Sequence, residues 1–283
     1  MDLTAFNKLV SSESAAKRYL LVKCWENHQR FCPRCGRRKN YKLKEGRRRC
    51  ASCRYTFHDF SQRWINQGRL SCVHWLWLVK LFDLGSTTRR ISKEIGLAYR
   101  TTYKAVTTVR TAIMAHAHDA SVLLGGEVEI DEAYFGGKRK GKRGRGAAGK
   151  VAVFGIMERD GLVSVDILPN LKTKTLVGLA VKKVDYASII YTDQFPPYDT
   201  LIYHSYRHHS LNHHKRFANG KVYINGIEGF WSYAKQLLIK HHGISPSRFP
   251  LYLKEWEFRY NNRHHNTFDI IIQYLCDLVP NYD

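Results

Sequence analysis

Residues 126–135 read GEVEIDEAYF, and the fold turns on how they are read. Val128 and Ile130 alternate with Glu127, Glu129 and Asp131. A period of two is the mark of a strand with one face on a core. It begins directly after Gly125-Gly126, where the helical spacing of the preceding residues ends. The same alternation keeps Glu129 beside Asp131, as a candidate helper, and turns Glu132 away.

Downstream, residues 136–150 read GGKRKGKRGRGAAGK, in which seven of fifteen residues are Lys or Arg. This loop is too polar to pack, and Lys138, Arg139, Lys140, Lys142, Arg143 and Arg145 suit a nucleic-acid backbone. VAVFGIMERDG and LVSVDILPN predict two more strands joined at Asp160-Gly161, and KTKTLVGLAVKKV predicts a helix. ASIIYTDQF predicts a fourth, mainly apolar strand ending at Asp193, and YHSYRHH a fifth. QFPPY follows that aspartate, where Pro196 and Pro197 stiffen the connection. Residues 224–240, INGIEGFWSYAKQLLIK, carry Phe230, Ala234, Leu237 and Leu238 at spacings of three and four, the stripe of an amphipathic helix. Asn225, Glu228, Ser232 and Lys235 fall on its opposite face. Glu228 and Lys235 lie two turns, about 10 Å, apart along the axis. Two further helices are expected, over Leu251–Asn262 and Phe268–Leu278.

Three strands, a helix, a strand and then helices is the order of a ribonuclease-H-like mixed sheet. Its first and fourth strands lie side by side and parallel. Asp131 would then neighbour Asp193, with Glu228 carried over by its helix. Converging carboxylates repel unless cations lie between them. Hard oxygen ligands suit Mg²⁺ or Mn²⁺, two per site, about 4 Å apart, the arrangement that serves in-line phosphoryl displacement. Lys235 would reach a phosphate near the cut.

Upstream, residues 31–57 read FCPRCGRRKNYKLKEGRRRCASCRYTF. Cys32 and Cys35 form one Cys-x-x-Cys pair and Cys50 and Cys53 the other, fourteen residues apart. Two such knuckles complete a tetrahedral zinc site, structural because four thiolates leave no open position. Arg34, Arg47, Arg48 and Arg49 around it are placed to touch phosphate. Cys24, Cys72 and Cys276 have no such pairing and read as core residues. Residues 1–30 predict two short helices, the second capped by Ser11 or Ser12. An apolar helix should end at Gly85. STTRRISKEIGLAYRTTYKAVTTVRTAI then suggests a helix-turn-helix about Gly96, with Arg100, Thr101, Thr102 and Lys104 available to the major groove. A plain helical hairpin is the alternative. His116 and His118 read as linker. Histidines 204, 208, 209, 213 and 214 lack the fixed i, i+4 frame of a zinc helix. His213 or His214 near Glu228 is a better candidate for contact with a scissile phosphate.

The 283 residues carry a formal net charge of +22, spread along most of the chain, with 44% hydrophobic and 13% aromatic residues. A packed core and a polyanionic partner are both implied. No apolar run approaches the length of a membrane span, and the N-terminus lacks a signal-peptide pattern. The seven cysteines then sit in a reducing cytoplasm, where disulfides are rare. The fold class is α+β and multidomain. Residues 1–30 are N-terminal helices, 31–60 a zinc ribbon, 61–120 a helical helix-turn-helix-like DNA-binding domain, and 121–283 a ribonuclease-H-like catalytic domain.

FCPRCG, RRRCASCRYTF, IDEAYFGGKRKGKRGRG, YTDQFPPY, INGIEGFWSYAK and EFRYNNR, in that order, resemble the bacterial insertion-sequence DDE transposases. The group is that with an N-terminal zinc ribbon and an ISXO-like integrase-type catalytic domain. On that resemblance the three acids map to Asp131, Asp193 and Glu228, the last separated from Asp193 by 34 residues, and the downstream base maps to Lys235. The third ligand can be Asn in this group, which makes Asn225 the runner-up. The resemblance implies a transposase that binds terminal inverted repeats. It would cut 3′ ends and transfer strands with Mg²⁺ or Mn²⁺, as a homodimer or larger oligomer on double-stranded DNA, in the bacterial cytoplasm at the nucleoid. The alternative is a DNA-binding regulator or domesticated relic without chemistry; a third is an RNA-processing nuclease of the same fold.

Overall fold

The computed structural model describes residues 1–119, 123–136, 150–159, 161–211, 223–241 and 243–280. It divides into two compact units, Met1–His116 with His264–Asp283, and Ala117–Arg263.

In the first unit, α1 (Leu3–Leu9) and α2 (Glu13–Cys24) are each started by a side-chain cap. The Ser12 hydroxyl accepts the Ala15 N–H at 3.1 Å, satisfying one of the donors that a helix start leaves unpaired. The ribbon follows as β1 (Asn40–Lys42), β2 (Arg48–Cys50) and β3 (Thr56–Phe57), an antiparallel sheet in that order. Then come α3 (Cys72–Asp83), α4 (Thr88–Glu94) and α5 (Tyr99–Asp119). α3 buries Trp75, Leu76, Leu78, Val79 and Phe82. Its first turn is held by Glu13, whose carboxylate accepts from the N–H groups of Cys72 and Val73 at 2.6 and 3.1 Å. The turn between α4 and α5 falls at Gly96, as the spacing predicts. Arg100 and Lys104 are exposed on α5. Thr102 is not available to a groove: it is fully buried and its hydroxyl donates to the Ala98 carbonyl at 3.2 Å. Nor is residue 116 linker. His116 lies within α5, stacked on Tyr274 at 3.8 Å between ring centroids, with Nε2 3.2 Å from the Asp277 carboxylate. Cys24, Cys72 and Cys276 are buried and free.

The second unit holds β4 (Glu127–Phe135), β5 (Val151–Glu158), β6 (Val163–Ile167), α6 (Thr173–Lys183), β7 (Ile189–Asp193), β8 (Arg207–Leu211), α7 (Asn225–Ile239) and α8 (Phe249–Asn261). The sheet order is β6-β5-β4-β7-β8. β4, β5 and β6 pair antiparallel, whereas β4, β7 and β8 run parallel. Numbered within this sheet, that is 3-2-1-4-5, the ribonuclease-H-like topology. Period two divides β4, β5 and β7 between two cores. Val128, Ile130, Phe154, Ile156 and Ile190 pack with Leu176, Val177 and Ala180 of α6. Ala133, Phe135, Val153 and Tyr191 pack with Ile227, Phe230, Trp231 and Ala234 of α7 and Trp256 of α8. Each large apolar side chain so buried contributes about 1.5–3 kcal/mol.

α9 (Thr267–Cys276) belongs to the first unit, which corrects the expectation that residues 121–283 form one segment. The reason is its apolar face: Phe268, Ile271, Ile272 and Leu275 are buried, and Phe268 meets Phe6 edge-on at 5.8 Å. Tyr19 of α2 donates to Asp269 at 2.5 Å. The C-terminal helix thus completes a core that the N-terminal helices begin.

β6 is an edge strand, whose free backbone groups would otherwise need water or a partner. α8 supplies one. The Asn261 side chain accepts the Val163 N–H and donates to the Val163 carbonyl, both at 2.8 Å. Glu257 accepts the Val165 N–H at 2.8 Å. Asn261→Ala should therefore destabilise this unit by about 1–3 kcal/mol, read as a lower denaturation midpoint. An unchanged midpoint would mean that water replaces the pair at no cost.

Candidate active site and zinc centre

β4 and β7 are in parallel register, with Glu127 opposite Ile189, Val128 opposite Ile190 and Glu129 opposite Tyr191. Two residues further on, both strands reach an aspartate, Asp131 and Asp193. Adjacent strands lie about 4.8 Å apart, so the two carboxylates start from neighbouring positions on the face that α7 covers. Asp131 and Asp193 are partly buried. Glu228 lies in the first turn of α7 and is exposed, as are Asn225, Ser232 and Lys235 on the same helix face. The Asp131 carboxyl is pushed up to about 7, first by burial and then by the negative charge of Asp193, with Glu228 adding to it. The negative charges of Asp193 and Glu228 are thus both felt at Asp131. Their carboxylates do not all approach within 4.8 Å of one another; among the described residues only the four ribbon cysteines meet that limit as a set.

One donor to Asp131 was not apparent from the sequence. The Trp231 indole N–H donates to Asp131 Oδ2 at 3.1 Å. Trp231 sits one turn after Glu228, on the buried side of α7. It reaches the carboxylate because the residue paired with Asp131 on β5 is Gly155. A Cβ at Gly155 would stand 2.4 and 2.6 Å from atoms of the Trp231 ring. Glu129, by contrast, does not join the acids. It is 1% exposed and accepts the Ile227 N–H at 3.0 Å, while Arg159 Nε donates to it at 3.3 Å. The sequence offers one signal for this, an acid at strand spacing from Asp131, and none for its partner.

Oxygen donors are the chemistry that Mg²⁺ or Mn²⁺ requires. The unfavourable charge at Asp131 is what a cation would relieve. The residues present therefore fit such an ion.

Of the histidines, His208 has its Nε2 2.8 Å from the Thr192 hydroxyl, and burial pulls its pKa down. His204 and His209 are exposed. His213 and His214 lie outside the described residues, as do Lys138, Arg139, Lys140, Lys142, Arg143 and Arg145.

In the ribbon, Cys32 Sγ lies 3.5 Å from Cys53 Sγ and Cys35 Sγ 3.6 Å from Cys50 Sγ, and all four sulfurs fall within 4.8 Å of one another. Zn–S bonds of about 2.3 Å in a tetrahedron require sulfurs roughly 3.8 Å apart. The four cysteines make a structural zinc centre. Each knuckle is closed by backbone bonds, Cys32 N–H to Arg37 and Cys50 N–H to Tyr55, both 2.9 Å. Arg34, Arg47 and Arg49 are exposed around it, whereas Arg48 is half-buried and donates to Asn40 at 3.0 Å.

The zinc ribbon and the ribonuclease-H-like sheet are the two parts of this chain that known transposase domains match. The ISXO2-like transposase domain matches residues 123–261, and the transposase zinc-ribbon domain matches residues 11–56. An uncharacterized transposase-like protein of Haemophilus influenzae is 45% identical over 96 residues, covering 34% of this chain and 78% of that protein. An uncharacterized protein in transposable element ISH50 of Halobacterium salinarum is 28% identical over 277 residues, 89% of this chain and 92% of that one. The crystal structure of the Mos1 strand transfer complex aligns over 71% of this chain and 73% of that chain at 11% identity, with a TM-score of 0.29. The chain belongs to the ISXO2-like transposase family.

Two outcomes follow from this geometry. Stripping zinc with a chelator should unfold residues 31–57, because the ribbon's own buried cluster is only Cys32, Cys50 and Phe57; limited proteolysis would show new cuts there, and an unchanged pattern would refute it. Gly155→Ala should dislodge Trp231 and cost about 1–3 kcal/mol, measured by denaturation.

Proposed function

We propose that this protein cuts the 3′ ends of its own insertion sequence at the terminal inverted repeats and joins them to target DNA, with Asp131, Asp193 and Glu228 as the ligands of Mg²⁺ or Mn²⁺. The observation that carries the reading is the parallel pairing of β4 with β7, which brings two aspartates to equivalent positions beneath the helix that bears Glu228. A pair of such ions supplies an activated water or 3′-hydroxyl and charge stabilisation for the leaving oxygen of an in-line displacement. Around them, Trp231 orients the Asp131 carboxylate through its N–H. Lys235, on the same exposed face of α7 as Glu228, meets a backbone phosphate beside the cut. Asn225, the first residue of α7, is the alternative third ligand.

The net charge of +22 supports double-stranded DNA as the partner. Arg34, Arg47, Arg48 and Arg49 of the ribbon, and Arg100 and Lys104 of α5, serve as phosphate and groove contacts. Lys138, Arg139, Lys140, Lys142, Arg143 and Arg145 are proposed to follow the backbone. The acting species is a homodimer or larger oligomer assembled on paired element ends, in the cytoplasm at the nucleoid. No helix among the described residues is long and apolar enough to cross a membrane.

The test uses the full chain and linear DNA carrying the ends of the element that encodes it. Wild-type protein should nick at the element ends only with Mg²⁺ or Mn²⁺. Asp131→Asn should abolish nicking, a loss beyond the ~10–100-fold expected of a supporting residue, while DNA affinity stays near wild type. Binding with no nicking in either metal would favour a regulator; cleavage of RNA in preference to DNA would favour a processing nuclease.

A further inference from the structure

We infer that Glu129 and Arg159 form a clamp that fixes the first turn of α7, and with it Glu228, against the strand that carries Asp131; this rests on the three-acid reading above. The clamp answers a local need. The first N–H groups of a helix have no partner within it, and Ile224, which precedes α7, provides no side-chain cap. Glu129 provides one from another element. Its Oε2 accepts the Ile227 N–H at 3.0 Å, and it also accepts from the Gly226 backbone. A carboxylate at a helix start also meets the positive end of the helix dipole.

A carboxylate buried to 1% exposure needs a charged partner. Arg159, directly after β5, supplies it through Nε at 3.3 Å, with its own side chain 13% exposed. The same guanidinium bonds Glu127 of β4 and donates through Nη2 to the Tyr223 carbonyl at 2.9 Å. Its carbon lies 3.7 Å from the centroid of the Tyr191 ring and 4.0 Å from that of Tyr223. One side chain therefore binds β4, β7 and the segment entering α7. Gly226 allows the approach: a Cβ there would stand 2.9 Å from Glu129 Oε2 and 3.0 Å from Met157 Sδ.

The spacing gives this clamp a role in positioning. Glu129 is two residues before Asp131 on the same strand face, and its bonded amide, Ile227, is one residue before Glu228. The separation of the first and third acids is thereby set through one buried carboxylate. Glu129 is a positioning residue, with oxygens engaged by Ile227 and Arg159 rather than open to an ion.

The experiment uses the zinc-loaded full chain with Mn²⁺ alone as probe. Mn²⁺ binding is followed by loss of the free-ion electron paramagnetic resonance signal, and backbone exchange by hydrogen–deuterium labelling. Wild-type protein should bind Mn²⁺ in a way that Asp131→Asn abolishes. Glu129→Ala and Arg159→Lys should weaken Mn²⁺ roughly 10–100-fold and speed exchange at Gly226 and Ile227 roughly 10-fold, with β4 and β5 still protected. Glu129→Gln keeps an acceptor for Ile227 without the charge and should fall between; if Glu129→Ala fails to fold, Glu129→Gln and Arg159→Lys decide. Wild-type Mn²⁺ affinity and exchange in the folded variants would overturn the clamp. So would faster exchange across the whole sheet with Mn²⁺ affinity unchanged, the signature of a purely structural ion pair. If wild-type protein shows no Asp131-dependent Mn²⁺ binding, the three-acid reading is what fails. Exchange at Gly226 and Ile227 then decides the clamp alone, supported if faster in the variants and overturned if unchanged.

Discussion

Two aspartates on adjacent parallel strands repel each other, and the second unit has to hold them in place against that repulsion. Parallel pairing of β4 with β7 fixes where the charges stand. Burial then makes the charge on Asp131 costlier and pushes its carboxyl up to about 7. A site of this kind is unfavourable for the resting protein and favourable for a bound cation. It must be held by structure that does not depend on the acids themselves. The two apolar cores on either face of the sheet do this, since neither needs a charged residue from the site.

The parts of this arrangement that were legible in the sequence are those written in local periodicity. The alternation from Glu127 to Asp131 gave a strand and its faces; the three-and-four spacing around Phe230 gave α7 and its exposed Glu228 and Lys235. The order of elements gave the adjacency of β4 and β7. The cysteine spacing was equally local, and the four sulfurs converge as it requires. What was not legible depends on which distant surfaces meet. α9 has an unmistakable apolar face, but periodicity does not say whether α2 or the sheet will cover it. His116 looked like linker because its partners, Tyr274 and Asp277, lie more than 150 residues on. Thr102 was misplaced for a nearer reason: on the buried face of a helix, a polar residue can satisfy its hydroxyl through the preceding turn and be fully buried.

The ribbon and the sheet also differ in what stabilises them. The sheet unit buries large aromatics on both faces and caps its edge strand with side chains from α8. The ribbon has three short strands and a buried cluster of two cysteines and one phenylalanine. With so little buried, the ribbon should owe its order to zinc held by the four thiolates, the platform on which its exposed arginines are presented.

Glu129 and Trp231 show why the site resisted complete reading. Read along the strand, Glu129 is as eligible as Asp131 to bind an ion. Read along the helix, Trp231 is another member of an apolar stripe. Their roles separate only when α7 is laid on the sheet, because Glu129 then meets backbone donors and Trp231 meets a carboxylate. The two glycines that permit these contacts share that property. Gly155 and Gly226 are required by the room they leave, for an indole and for a carboxylate respectively, and not by a left-handed backbone. A turn glycine can be guessed from its neighbours in sequence; a glycine that makes room for a side chain from another element cannot. Each sits against a side chain that serves one of the acids: Gly155 beneath the tryptophan on Asp131, and Gly226 against the glutamate that caps the helix of Glu228. The space these glycines leave is thus as much a part of the site as the carboxylates.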